Sequence, residues 1–285
     1  MAVQETSVNI SERTALVRAP RLPDLSVTTI PELTVVVPTR NERDNVSPLI
    51  ERLERICSDL RLEVIFVDDS TDDTAQAVRE RAERSSRPVK LMRRRPGQRD
   101  GGLGGAVLAG LKEAGSEFVC VMDADLQHPP ELLEALLDTA RVTQADLVVA
   151  SRYCPGGEVG DFSALRKALS RGSVLIARAM FPLRLRRVSD PLSGFFLVRR
   201  TAIDLAALRP RGFKILLEIL LSGGRLNTAE VGFRFGERHA GESKASFREG
   251  ALYLLRLIEL RARLFGPVTA GLLAGYTATP APPPW

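Results

Sequence analysis

The chain predicts an α/β protein, a mostly parallel, twisted sheet flanked by helices. Short β-branched runs recur that are apolar on both faces, segments of helical period fall between them, and several runs end in clustered acids. The first run, LTVVVP (33–38), breaks into P-T-R-N-E and leads to a periodic segment, NVSPLIERLERICSDL (45–60). LEVIFVDD (62–69) follows, then the helical DDTAQAVRERAER (72–84) and a third run, PVKLM (88–92). GGAVLAGLKEA (104–114) precedes EFVCVMD (117–123), and PPELLEALLDTAR (129–141) precedes DLVVAS (146–151). Each helical segment opens with Asp, Asn, Gly or Pro, residues that suit a helix start. Strand and helix in alternation make βαβ units, and in such sheets ligands bind beyond the carboxyl ends of the strands.

Composition bounds the function. At 285 residues, with 44% hydrophobic and 26% charged residues, the chain has an ordinary globular balance. A net charge of +5 admits a phosphate-rich partner such as a nucleotide or an anionic membrane. Only 5% aromatic residues and no recognisable module argue against nucleic acid. Three widely spaced cysteines and two histidines suggest neither a disulfide framework nor a zinc site, and fit a reducing, cytoplasmic setting.

Three run ends carry unusual chemistry: P-T-R-N-E, D-D-S-T-D-D and D-A-D-L-Q-H. Acids gathered at one sheet edge repel one another unless a cation or a set of donors compensates. Asp123 and Asp125, with the Gln127 amide oxygen in reach, are hard oxygen ligands that suit Mg²⁺ or Mn²⁺, and a diphosphate would complete the shell. Asp69 and Glu42, at other run ends, are placed to hydrogen-bond a base or ribose. Other phosphate schemes fail. GGLGGAVLAG (101–110) follows a polar stretch and has Val107 where a dinucleotide fingerprint needs its third glycine, and neither a P-loop nor a G-x-S-x-G elbow occurs. Those glycines instead allow backbone to approach the sheet or a ligand closely.

The ordered set P-T-R-N-E-R-D-N, V-D-D-S-T-D-D-T, G-L-G-G-A, M-D-A-D-L-Q-H-P-P, S-R-Y, D-P-L-S-G-F, R-G-F-K-I-L-L-E and F-G-E-R-H-A-G-E-S-K resembles the polyprenyl-phosphate (dolichyl-phosphate) mannose synthases over about residues 33–265. These are inverting glycosyltransferases of the GT-A nucleotide-sugar fold. The resemblance implies GDP-mannose as donor and a polyprenyl phosphate as acceptor. It further implies that Pro38, Arg40, Glu42, Val67 and Asp69 line the nucleoside, and that Asp123, Ala124, Asp125 and Gln127 form the metal and diphosphate site. Arg152, Arg166, Ser170, Arg238 and Lys244 would hold the lipid phosphate or the leaving phosphate, with Asp125, Arg152 and Arg238 nearest the chemistry. Gly105 and Ala245 depart from the family's usual residues and leave the hexose open. The alternatives are transfer of glucose or another hexose to undecaprenyl phosphate and, from V-D-D and V-M-D-A-D, a phospho-receiver domain.

Residues 1–32 read as a flexible leader, 33–245 as the catalytic domain and 246–285 as an amphipathic helix with a Pro-rich tail. LYLLRLIELRARLF (252–265) puts leucines on one face and Arg256, Arg261 and Arg263 toward the other, as an interfacial helix or one packed on the domain requires. No apolar stretch reaches the roughly 20 residues that span a bilayer. The expected location is peripheral, on the cytoplasmic face of a membrane.

Overall fold

A computed structural model describes residues 30–265 except 58, 161–162, 213, 223, 237–238 and 241–246. Seven strands form one sheet in the order β3-β2-β1-β4-β6-β5-β7. They are β1 (Leu33–Thr39), β2 (Leu62–Asp68), β3 (Val89–Arg93), β4 (Phe118–Val121), β5 (Leu147–Ser151), β6 (Phe196–Arg199) and β7 (Thr228–Gly232). All pairings are parallel except those of β6, which runs antiparallel to both β4 and β5. All five expected strands are present. β6 and β7 had no counterpart in the sequence reading; β7 (TAEVG) is a half-buried edge strand without a long β-branched run.

Every residue of β1 and β2 is buried, so both sheet faces are covered. The pleat sends Val36 into one core and Val35 and Val37 into the other. On the first face pack α3 (Gly102–Glu113), α5 (Ala164–Met180), α7 (Ile215–Ser222) and α8 (Phe247–Phe265), with the short α6 (Pro182–Leu185) beside them. On the second lie α1 (Arg43–Ile56), α2 (Thr74–Ala82) and α4 (Leu132–Thr143). Close approach explains Gly110: a Cβ there would sit 3.0 Å from Val36 Cγ2 and 3.2 Å from Val67 Cγ2, so only glycine lets α3 lie this near the sheet.

The reading of α8 needs correction. Leucines occupy both faces: Leu257 and Leu260 are buried with Tyr253, whereas Leu254, Leu255 and Ile258 are exposed. Arg256 is buried too, donating at 2.6 Å to Glu218 of α7, to the Arg209 carbonyl and to Glu259. Glu218 is the only acid in an otherwise apolar α7, and burying it requires that cationic partner. Tyr253 Oη also donates to the Ser173 carbonyl of α5 at 2.8 Å, so α8 is packed on the domain.

Candidate active site

β2, β1 and β4 are adjacent and parallel, which brings their carboxyl ends, and the loops P-T-R-N-E, D-D-S-T-D-D and D-A-D-L-Q-H, to one edge. Because β6 is antiparallel, its incoming segment D-P-L-S-G-F (190–195) reaches the same edge. Pro38 is tolerated in this central strand because β4 pairing with β1 stops at Val36. The Thr39 carbonyl accepts from Asp69 of the β2 side and the Val36 carbonyl from Met122 of the β4 side. The N–H that Pro38 lacks would therefore point toward β4, where the ladder has ended.

The D-A-D loop is tightly held. Asp125 Oδ1 accepts the Gln127 amide at 3.1 Å, Leu126 is left-handed at φ 64°, and His128 Nδ1 accepts the Asp123 amide at 3.0 Å. Two further strands of contact come from beyond β7. Gln127 exchanges hydrogen bonds with Gly236, and the His239 amide donates to the Asp125 carbonyl at 3.1 Å. Asp125 and Ala124 are both buried. The more accessible acid is the half-buried Asp123, with 38% of its side chain accessible. Gly194 faces that carboxylate: a Cβ would stand 3.4 Å from Asp123 Oδ2 and 3.3 Å from His128 Cε1, filling the space over it. An all-oxygen donor pair with such a cradle fits a hard divalent cation that takes its remaining ligands from phosphate and water. Among the described residues no cluster of three or more His, Cys, Asp and Glu side chains is assembled, so the protein would supply only part of the shell.

Burial pushes the His128 pKa down to about 4, against the pull of Asp125, and the ring is neutral. Its Nδ1 is 3.8 Å from Asp123 Oδ2, yet that contact is no ion pair, since the Nδ1 lone pair already accepts the Asp123 amide.

The neighbouring loops place the nucleoside residues unevenly. Glu42 takes the Asn45 amide at 2.6 Å and donates its own N–H to Thr74 Oγ1 at 3.0 Å, while Arg40 is half-exposed at the same edge. Asp69 carries a partner that the sequence did not suggest: both carboxylate oxygens accept from Arg94, in a buried bidentate pair. The Val67 side chain is buried under α3, beside Gly110. Sequence reasoning passed over Asp68. It is fully buried, Oδ1 accepts from Thr39 at 3.1 Å, and Oδ2 has no hydrogen-bond partner among the described residues. Its signal was the doubled acid in V-D-D.

On the other side of β4, Arg152 is not an open cation. Its Nε and Nη2 grip the fully buried Asp190 at 2.7 and 2.9 Å, and its guanidinium lies over the Tyr153 and Phe235 rings. Burial works against its charge, but the Asp190 hydrogen bonds prevail and raise its pKa. Ser189 donates through its backbone N–H and its hydroxyl to Glu230, closing the same seam. Ser170 shares a 2.8 Å hydrogen bond with Tyr153 Oη, and Arg166 is exposed near the start of α5. Arg238 and Lys244 lie outside the described residues.

The glycosyl transferase family 2 model matches residues 34–205. Dolichol-phosphate mannosyltransferase of Pyrococcus furiosus is 39% identical over 230 residues, which cover 80% of this chain and 63% of that protein. The enzyme of the same description from Mycosarcoma maydis is 35% identical over 254 residues, 85% of this chain and 83% of that one. Glucosyl-3-phosphoglycerate synthase of Mycobacterium tuberculosis, solved with Mn²⁺, UDP and glucosyl-3-phosphoglycerate, shares the fold at TM-score 0.55 and 23% identity, over 84% of this chain and 82% of that one. The phospho-receiver alternative falls with these matches. The chain is a glycosyltransferase of the GT-A fold and belongs to glycosyl transferase family 2, among the relatives of dolichol-phosphate mannosyltransferases.

Proposed function

We propose that the enzyme transfers mannose from GDP-mannose to the phosphate of a polyprenol, inverting the anomeric carbon. The observation that carries this reading is the D-A-D loop, braced from both sides at the edge where the three acid-bearing strand ends meet. Relatives named for transfer of mannose to dolichol phosphate support the substrates.

Asp123 and Asp125, with Gln127, would hold Mg²⁺ or Mn²⁺. When bound there, it would supply positive charge to the departing diphosphate. Arg40 and Glu42 contact the nucleoside. The acceptor is a phosphate oxygen, already anionic near neutral pH, so it attacks the anomeric carbon without a strong general base. Its electron pair forms the new C–O bond while the bond to the diphosphate breaks and GDP leaves with the charge. Arg238 and Lys244 are assigned to the phosphates: Gly236 and His239, on either side of Arg238, are hydrogen-bonded to the D-A-D loop. Arg152 contributes by fixing the β5 end and the D-P-L-S-G-F segment to each other.

The polyprenol implies contact with a lipid surface. Among the described residues no helix is long and apolar enough to cross a membrane. Exposed leucines instead gather on α5, α6 and α8, at Leu165, Leu169, Leu175, Leu183, Leu254 and Leu255. Arg171, Arg178 and Arg184 accompany them, the pairing of apolar and basic groups that suits an anionic interface. Free thiols at Cys57, Cys120 and Cys154 support the cytoplasmic face. The test is incubation with Mg²⁺, a short polyprenyl phosphate and labelled GDP- and UDP-sugars. Label from GDP-mannose is expected in the lipid phase; label entering only from a UDP-sugar would replace the donor, and none from any sugar would sink the reading.

A further inference from the structure

His128 contacts the D-A-D loop without a part in the reaction just described. The Met122 amide makes the last bond of this segment to the sheet, at 3.2 Å to the Val36 carbonyl, and the next amide, that of Asp123, donates to a side chain instead. His128 Nδ1 supplies that acceptor at 3.0 Å, closing a loop that contains left-handed Leu126. A non-glycine residue in that conformation costs about 1–2 kcal/mol, which the hydrogen bonds that close and brace the loop offset. The ring cannot turn away: it is buried, stacked on Phe195 at 5.1 Å, and edged by Phe233 at 6.0 Å and Phe235 at 5.7 Å. Gly194 leaves room for both the ring and the Asp123 carboxylate.

We propose that His128 is a positioning residue: by accepting the Asp123 amide it aims the Asp123 carboxylate at the divalent cation and the donor diphosphate. The proposal rests on the metal and diphosphate reading above. It is a claim about one hydrogen bond, distinct from packing, and two substitutions separate these. His128→Asn keeps an acceptor in the place of Nδ1 but leaves a hole among the three phenylalanines. His128→Leu fills the space and loses the acceptor. Packing alone ranks leucine above asparagine; the hydrogen bond ranks them the other way.

The experiment is calorimetric titration of the full chain with Mn²⁺ in the presence of GDP, alongside thermal melts. Loss of about tenfold or more in Mn²⁺ affinity is expected for His128→Leu, against roughly threefold or less for His128→Asn, the scale on which partners behind a metal ligand act. If the leucine variant does not fold, His128→Phe takes its place, and the asparagine variant is decisive by itself, since a tenfold loss there overturns the proposal. Equal losses in both variants, or leucine better than asparagine, overturn it as well. Wild-type protein that binds GDP but no Mn²⁺ would take down the metal reading and this proposal together, an outcome distinct from failure of the variants alone.

Discussion

The two sides of β4 treat charge differently. On the β2-β1 side the acids stand at strand ends that share a direction; Asp69 is locked to Arg94 there, but Asp123 stays accessible and faces the space left by Gly194. On the β6-β5-β7 side the charged groups are taken up by partners: Arg152 by Asp190, and Glu230 by the N–H and hydroxyl of Ser189. A charge that a reaction needs must remain available, whereas one locked to a buried counter-charge holds the fold. The first side is therefore read as chemistry and the second as the frame that brings D-P-L-S-G-F beneath it.

Breaking the comparison on the reactive side gives the largest effect. Asp125→Asn should lower transfer by more than about 10³-fold, and a radiochemical assay across Mg²⁺ concentrations measures it. Because Asp125 also accepts the Gln127 amide inside the loop, the variant should melt slightly earlier as well. On the framing side, Arg152→Gln leaves the Asp190 carboxylate buried without its partner, and unfolding should become easier by about 3–5 kcal/mol. Calorimetric melting checks it, and replacing Asp190 with Asn in the same chain should recover part of the loss.

Smaller effects sharpen the same contrast. Arg256→Met should cost about 2–3 kcal/mol, less than the Arg152 change because Arg263 remains 3.7 Å from Glu218. Denaturant midpoints of the single variant and of the Arg256→Met, Glu218→Gln pair would show it, the pair lying nearer wild type. Leu169→Glu places a charge on the exposed apolar surface and should leave stability unchanged while weakening sedimentation with anionic vesicles by roughly tenfold.

The sequence displayed the reactive side far better than the frame. Each of its loops is a short motif directly after a β-branched run, so the strand, its end and its acids can be read within a dozen residues. The frame depends on distant pairs. Arg152 meets Asp190 across 38 positions and Ser189 meets Glu230 across 41, and β6 enters between β4 and β5 against the direction of its neighbours. No local pattern reports such pairings, and the phosphate role expected of Arg152 came from the resemblance alone. The pairing of Asp69 was hidden for a related reason: its partner Arg94 sits in the polar R-R-R-P stretch, 25 residues away, where nothing distinguishes one arginine from the next. Arg256 read as a solvent-facing residue of an amphipathic helix because its acid, Glu218, lies on another helix.

The contrast comes down to an accessible Asp123 and a buried Arg152 paired with Asp190. Titrating GDP into Asp123→Asn and Arg152→Gln, each with and without Mn²⁺, tests it most directly when the melting point of each is recorded. Asp123→Asn should lose the Mn²⁺-dependent part of GDP affinity at an unchanged melting point, and Arg152→Gln should keep that affinity below its lowered melting point. Mn²⁺-dependent GDP binding that survives in Asp123→Asn, or that disappears in a folded Arg152→Gln of wild-type stability, would contradict the account.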